Sequence, residues 1–272
     1  MEDAYSVENG GRFAAVFDGH GGSEVSSTLR DRLYNLYHQV LSAKHWEERD
    51  DFDLKGNRVP SISSHVAALR GALEQVEQDV LKHDDLVYQG STAVAVVLHV
   101  AEGGQRTMLS ANIGDSRAVL SRGGKAIDLT RDHKPNDERE RARIRAMGEE
   151  VQWDPYGQLY RVRDLSLSRA IGDRFAKPAV SSEAEIQLFP VTEKEDEFVL
   201  LASDGLWDVM TSQEAVDFVH DSQTNRSTMN ESASDIKSTR KRIARIIANE
   251  ALERGSADNV CVLVVWLNDH II

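Results

Sequence analysis

Between residues 90 and 129 the chain passes through four short segments, 91–100, 106–113, 117–120 and 125–129, rich in β-branched residues and separated by Gly or Gly-Asp. Such segments read as strands, and Gly123-Gly124 between the last two fits a tight hairpin. A sheet built from them must bury an apolar face against something, and the flanking sequence says what. Upstream, residues 12–17 (R-F-A-A-V-F) form an apolar run that stops at the turn signal Asp18-Gly19, as a buried strand would. Val25, Leu29, Leu33, Leu36, Tyr37, Val40 and Leu41 then recur at helical spacing and predict an amphipathic helix over 21–42. Residues 44–64 are polar, contain Gly56 and Pro60, and read as a surface loop. Val66, Leu69, Leu73, Val76 and Val80 mark a second helix facing the core.

Downstream the same grammar repeats. Asn136 opens a helix, with Asp137 and Glu138 placed to favour its dipole. Residues 153–177 are rich in charge and Gly without clean periodicity, and read as an irregular, solvent-facing flap. Strands are expected at 185–189 and 197–202. The Thr211-Ser212-Gln213-Glu214 capping box opens a helix through Val219, followed by a polar loop over 221–234. Ile236, Ile243, Ile246, Ile247 and Leu252 mark one more helix, and 259–267 (N-V-C-V-L-V-V-W-L) reads as a buried closing strand. There is no internal repeat and no linker long enough to separate domains. Runs of short strands with paired helices between them predict an α+β, sheet-on-sheet core covered by helices.

Composition narrows the function classes. Net charge is −13, from 32 basic and 45 acidic residues, so a nucleic-acid backbone would repel the chain. No stretch of about 18 apolar residues is present to span a membrane. The first residues, Met1-Glu2-Asp3-Ala4-Tyr5, lack the basic and apolar regions of a signal peptide, and the one cysteine, Cys261, has no internal partner. A reducing compartment, cytoplasmic or nuclear, is the expectation. No membrane or nucleic-acid partner is expected. The basic run 237–245 has helically spaced isoleucines and reads as a solvated helix face.

The acidic residues carry the chemistry. Asp18 ends one expected strand; Asp204 ends another, with Asp208 on the next turn; Asp258 precedes the last, and Glu2-Asp3 lies near the first. Carboxylates at strand ends can gather at one rim of a sandwich, where rigid backbone fixes their geometry. Gathered carboxylates repel one another unless cations neutralise them, and hard oxygen donors suit Mg²⁺ or Mn²⁺ better than zinc. Each motif alone is weak, since Asp-Gly is usually only a turn. Three strand-end aspartates beside Gly or Asn repeat one geometry.

Eight ordered stretches then carry a resemblance. They are M-E-D-A at 1–4, V-F-D-G-H-G-G at 16–22, G-S-T-A at 90–93, A-N-I-G-D-S-R-A at 111–118, D-H-K-P at 132–135, S-R-A-I-G-D at 168–173, A-S-D-G-L-W-D at 202–208 and A-D-N-V at 257–260. Together they resemble the metal-dependent serine/threonine protein phosphatases of the protein phosphatase 2C type. The resemblance implies one catalytic domain over 1–272, a β-sandwich of two antiparallel sheets flanked by pairs of helices in four αββα layers. It implies two Mg²⁺ or Mn²⁺ ions, with Asp18 bridging, Glu2 and the Gly19 carbonyl on one, and Asp204 and Asp258 on the other. Asp3 would hold metal-bound water, and Asp132 and Asp208, with Asp204, would form a weaker third site. His20 would protonate the leaving serine or threonine oxygen.

The chemistry implied is hydrolysis of phosphoserine and phosphothreonine in proteins by a monomer, by attack of a water bridging two cations and without a phosphoenzyme. Cys261 sits between Val260 and Val262 with no Arg at the spacing a cysteine-dependent phosphatase needs, and reads as packing. G-S-T-A and G-D-S-R read as scaffold, and Trp207 as core. The family pattern also has a phosphate-clamping Arg a few residues before Met-Glu-Asp, and a strand before that; the sequence given begins at Met1, so it is expected to lack both. Gly148-Glu149 stands where relatives usually have two glycines. The competing reading is a catalytically weak member of the fold serving as a binding or regulatory module. A passive divalent-cation binder is disfavoured because no EF-hand spacing is present.

Overall fold

The computed structural model describes residues 1–43, 51–52, 58–227 and 233–267. In chain order come β1 (Ala4–Glu8), β2 (Phe13–Phe17), β3 (Gly19–His20), α1 (Glu24–Ala43), β4 (Asp51–Phe52), β5 (Arg58–Val59) and α2 (Ile62–Val80). The middle of the chain gives β6 (Gly90–Ser91), β7 (Ala93–Val100), β8 (Arg106–Ile113), β9 (Arg117–Arg122), β10 (Lys125–Asp128) and α3 (Glu138–Ala146). Then follow β11 (Gln152–Asp154), β12 (Leu159–Arg161), β13 (Ile171–Gly172), β14 (Glu185–Pro190) and β15 (Asp196–Ala202). The last elements are α4 (Asp204–Trp207), α5 (Ser212–Ser227), α6 (Ala233–Glu253) and β16 (Val262–Trp266).

Two antiparallel sheets form the centre, one of five strands in the order β1-β2-β7-β8-β14 and one of four in the order β10-β9-β15-β16. The period-2 alternation of side chains decides what each face meets. Phe13, Ala15 and Phe17 of β2 pack with Leu29, Leu33, Leu69 and Leu73 of α1 and α2. Ala14 and Val16, on the opposite face, join Val94 and Val96 of β7 and Leu120, Val199 and Leu201 of the second sheet. Phe198, Leu200 and Ala202 of β15 turn the other way, onto Val216, Val219, Ile243 and Ile247 of α5 and α6. The result is the four-layer αββα arrangement. β2 is buried along all five residues because it has an apolar layer on each side.

Several elements differ from the sequence reading. The loop expected at 221–234 is largely helix: α5 runs to Ser227 and α6 begins at Ala233, with 228–232 outside the described residues. No Gly or Pro stands in 221–227 or 233–234, so the polar composition of these described residues is compatible with helix. The surface loop at 44–64 is shorter than expected, since β4, β5 and the start of α2 fall inside it; 44–50 and 53–57 lie outside the described residues. Ser61 caps α2 by accepting from the Ser64 amide. The flap is more ordered than its charge suggested: β11 and β12 form a hairpin. Val162, Leu167 and Ala170, with Ile144, Ala176, Ala179 and Val180, make a small core beneath it. β16 is half-buried rather than buried, being the outer strand of its sheet.

The flap is joined to the sandwich by a buried charged knot. Glu140 of α3 is 1% exposed and accepts from Arg169, Arg143 and the Ser168 hydroxyl. Burial opposes its ionised form, but Arg169, then Arg143 and His133, outweigh that and hold its pKa down at about 2. A depressed carboxyl pKa gives stability that is complete above the unfolded value, near 4.5, and is lost as pH falls toward about 2. Glu140→Gln is therefore expected to cost about 3 kcal/mol at pH 7, the usual scale for breaking a buried ion pair. Urea unfolding of both proteins from pH 7 to 3 should show that difference narrowing below about pH 4.5.

Candidate active site

The site lies where β2, β15 and the turn before β16 end at one rim. Asp18 follows the doubly buried β2, so its backbone has little freedom. Its amide donates to Thr92 Oγ1 (3.1 Å), its carbonyl accepts from the Thr92 amide (2.9 Å), and Thr92 Oγ1 pairs with Ser116 Oγ at 2.7 Å. Those contacts are what the G-S-T-A and G-D-S-R stretches do for Asp18. Gly19 is needed for close approach: a Cβ there would stand 2.6 Å from the Glu2 carbonyl oxygen and 2.7 Å from Ser26 Oγ. Glu2, though second in the chain, is pinned at both backbone polar groups. Its amide donates to Asn259 Oδ1 at 3.0 Å, and its carbonyl accepts from Ser26 Oγ at 2.5 Å.

Asp204 is the first residue of α4, set directly after β15, and Asp208 caps that short helix with its amide on the Asp204 carbonyl. Trp207 beneath it is 7% exposed and donates its indole N–H to Ala202 O at 2.9 Å, a core role. Asp3 Oδ2 accepts from Ser203 Oγ at 2.9 Å, while its Oδ1 is buried without a hydrogen-bond partner. His20 and Asp258 complete the rim.

A cavity of about 270 Å³ is lined by Glu2, Asp18, Gly19, His20, Asp204 and Asp258, all six expected from the sequence, together with Thr92, Asp115, Arg161, Leu165, Ser166 and Leu167. Asp3 and Asp208 are not among the residues that line it. Asp132 is engaged elsewhere, in a two-pronged ion pair with Arg117 (2.9 and 2.7 Å), so a metal role would require it to share or leave that partner. The sequence reading missed Asp115, which is 2% exposed, because Gly-Asp reads first as a turn. It also missed Arg161 and 165–167, which reach the cavity from the flap. Only the charge of the flap hinted at a site role.

Electrostatics set the character of the cavity. Burial first, then the carboxylates of Asp204, Asp3, Asp115 and Asp258, push Asp18 up to about 10. Burial and Asp115 push Asp204 up to about 7, against the pull of Lys134. Lys134 is the local counter-charge, 2.5 Å from Asp115 and 3.7 Å from Asp204. Burial disfavours its ammonium, but Asp115 and then Asp204 outweigh this and raise its pKa. One ammonium does not balance five carboxylates around one cavity. His20 Nε2 lies 2.8 Å from Asp173 Oδ2; burial opposes its charged form, yet Asp173, then Asp115 and Glu2, raise its pKa. Cys261, near Asp3 and Asp18, has its thiol pushed up to about 12, chiefly by burial, and is no nucleophile.

The donor set fits a hard divalent cation in type and in charge: oxygens only, an excess of negative charge, and a buried Asp3 oxygen lacking a partner. The fit stops there, because among the described residues no three His, Cys, Asp or Glu side chains close on one point as a ligand cluster.

Comparison with known proteins agrees with this picture. The family model described as Protein phosphatase 2C matches residues 2–260. A rice protein (Oryza sativa subsp. japonica) described as probable protein phosphatase 2C 6 is 34% identical, across 98% of this chain and 58% of its own length. Probable protein phosphatase 2C 59 of Arabidopsis thaliana is 36% identical, across 99% of this chain and 76% of its own. The chain thus spans about three-fifths of the length of some curated relatives it matches. Among solved structures, a C. elegans sex determining protein superposes with a TM-score of 0.78 at 29% identity, over 98% of this chain and 61% of that one. A serine-threonine phosphatase 2C from Toxoplasma gondii, at 24% identity and a TM-score of 0.71 over 93% of this chain and 84% of its own, shares the fold.

The raised Asp18 pKa has a consequence for stability. An acid whose folded pKa exceeds its unfolded value destabilises the fold increasingly as pH rises above the unfolded value, near 3.8. Asp18→Asn is thus expected to stabilise the chelator-treated protein at pH 7 by roughly 1–3 kcal/mol, the scale of a buried polar penalty. Thermal melts should also show Mn²⁺ raising the transition of the unsubstituted protein and leaving that of Asp18→Asn nearly unmoved.

Proposed function

The chain belongs to the protein phosphatase 2C family, and from that membership we propose that it hydrolyses phosphoserine and phosphothreonine in proteins. The observation that carries the reading is the convergence of Glu2, Asp18, Gly19, His20, Asp204 and Asp258 on one cavity. Two ions of Mg²⁺ or Mn²⁺, held by Glu2, Asp18, the Gly19 carbonyl, Asp204 and Asp258, would supply the positive charge that phosphoryl oxygens need and would acidify a water.

The chain's own residues do the rest. Asp3, tied to Ser203 at 2.9 Å, would hold water in the cavity and take the proton it gives up. Lys134 keeps Asp115 and Asp204 from repelling each other into solvent. Arg161, anchored by Asp154 at 2.8 Å and by the Asp164 carbonyl at 2.9 Å, presents a guanidinium from the flap to an incoming dianion. Leu165 and Leu167 shield the cavity from bulk water on that side. His20 hands a proton to the departing serine or threonine oxygen, whose alkoxide is too basic to leave unprotonated. Asp132 and Asp208, with Asp204, would form a weaker third site, for which Asp132 must share or leave Arg117. Phosphoproteins in the cytoplasm or nucleus are the substrates, met by a monomer.

The decisive assay is phosphate release from a phosphothreonine peptide and from p-nitrophenyl phosphate, with Mg²⁺, with Mn²⁺ and with chelator. Release is expected only with metal, and Asp204→Asn is expected to lower it by at least about 100-fold, the scale of losing a transition-state charge stabiliser. Absent release would sink the enzyme reading and leave a binding module of the same fold, and metal-independent release would sink the metal mechanism.

A further inference from the structure

His20 has a partner that the proposed chemistry does not use. Asp173 is fully buried, and its Oδ2 lies 2.8 Å from His20 Nε2 although the two are 153 residues apart. A three-stranded sheet brings them together: β3, carrying His20, pairs with β6, and β6 pairs with β13, which ends one residue before Asp173.

The local backbone is held for this contact. Asp173 adopts φ 48° and ψ 46°, the left-handed region that non-glycine residues enter at a cost. The conformation is enforced from both ends. The Asp173 amide donates to Gln89 O at 2.8 Å, and its carbonyl accepts from the Ala176 amide at 2.8 Å. From α2, buried Glu77 accepts from the Gly172 amide at 2.7 Å and pairs with Lys177 at 2.9 Å, clamping the loop on either side of Asp173. Room is made as well. Gly90 lies against the pair, and a Cβ there would overlap Asp173 Oδ2 and stand 2.6 Å from His20 Nε2. The other carboxylate oxygen, Oδ1, is buried with no partner. A strained residue, a glycine gap and a buried carboxylate whose only polar side-chain contact among the described residues is one imidazole are more than packing requires.

We propose that Asp173 is a positioning residue for His20, fixing the ring by its Nε2–H so that Nδ1–H is the proton delivered to the leaving oxygen. The inference rests on the reading of His20 as the acid. In the step, a water oxygen gives up a proton and bonds to phosphorus as the P–O bond to the serine or threonine oxygen breaks, and the proton on Nδ1 moves to that leaving oxygen. The imidazole is left neutral, with its Nε2 proton still held by Asp173. Asp173 neither touches substrate nor changes protonation.

The test uses Asp173→Asn, because asparagine tolerates the left-handed conformation and should preserve the fold, as a thermal melt checks. Turnover of a phosphothreonine peptide should fall about 10- to 100-fold, the usual effect of losing a group that orients a functional side chain, with KM within about twofold. p-Nitrophenyl phosphate has a leaving group that needs no proton, so its turnover should fall less than about threefold. In His20→Ala, adding Asp173→Asn should cost nothing further on the peptide. Equal losses on both substrates, or additive losses in the double variant, would overturn the inference. Independently of activity, nitrogen-15 NMR of the imidazoles should show a hydrogen-bonded His20 Nε2–H that disappears in Asp173→Asn; its absence from the unsubstituted protein would also overturn it. If that proton is present but the protein releases no phosphate with metal, the enzyme reading fails, and with it the catalytic role given to Asp173; the bond alone survives.

Discussion

The structure is organised around a carboxylate in a place where carboxylates are costly. Asp18 is driven toward the protonated form by burial and by four neighbouring acids, with Lys134 the ammonium placed among them. An isolated buried charge would simply neutralise or swing out to water. Asp18 cannot swing far, because its backbone is locked to Thr92 and the preceding strand has apolar layers on both faces. The sandwich is thus a device for holding like charges together. The stability spent on that is recovered in the three apolar interlayers, which bury Phe13, Phe17, Phe198, Leu29 and Leu120 completely.

That view explains why the acids come from such distant points in the chain. Asp18 follows β2 directly and Asp204 lies two residues past β15, while Glu2 and Asp258 stand in the short segments that lead into β1 and β16. Glu2 is the informative case. Its amide and carbonyl are taken by Asn259, which flanks Asp258, and by Ser26, in the first turn of α1. Residue 2 is held by residues 26 and 259 through backbone groups that any side chain at position 2 would leave intact. Position is therefore set by the backbone, and the carboxylate at position 2 is free to serve chemistry.

How much of this could be read from sequence depended on the range of the interaction. β8 was legible to the residue, and β2, α1, the hairpin at Gly123-Gly124 and the Thr211–Glu214 cap nearly so, because periodicity and turn chemistry are local signals. The end of α5 was not: polarity without a Gly or Pro is compatible with helix or loop, and composition alone favoured the wrong one. Asp115 and Asp173 were hidden for another reason. Both stand beside glycine in stretches that satisfy a turn reading, and only the tertiary fold shows that one carboxylate meets Lys134 and the other His20. The ion pair that occupies Asp132 was equally invisible, since Arg117 lies on a strand fifteen residues away whose side-chain direction the sequence does not state.

The same contrast separates two kinds of charge in the site. Around Asp18 the acids lack enough positive charge, an excess that the proposed cations would offset. Around Asp173 the charge is matched one to one with an imidazole, inside a pocket shaped for that pair by Gly90. The first arrangement would suit holding cations that neutralise a phosphoryl group, and the second suits holding a proton donor still. They meet at Gly19-His20, two residues that pair with β6 on one side and continue the Asp18 strand end on the other. Because those residues are adjacent in sequence, a displacement of the cation-receiving end would be carried to the proton donor through a single peptide bond. Clamping of the Asp173 loop by Glu77 opposes that displacement, giving the acid an anchor on α2 that does not pass through the carboxylate cluster.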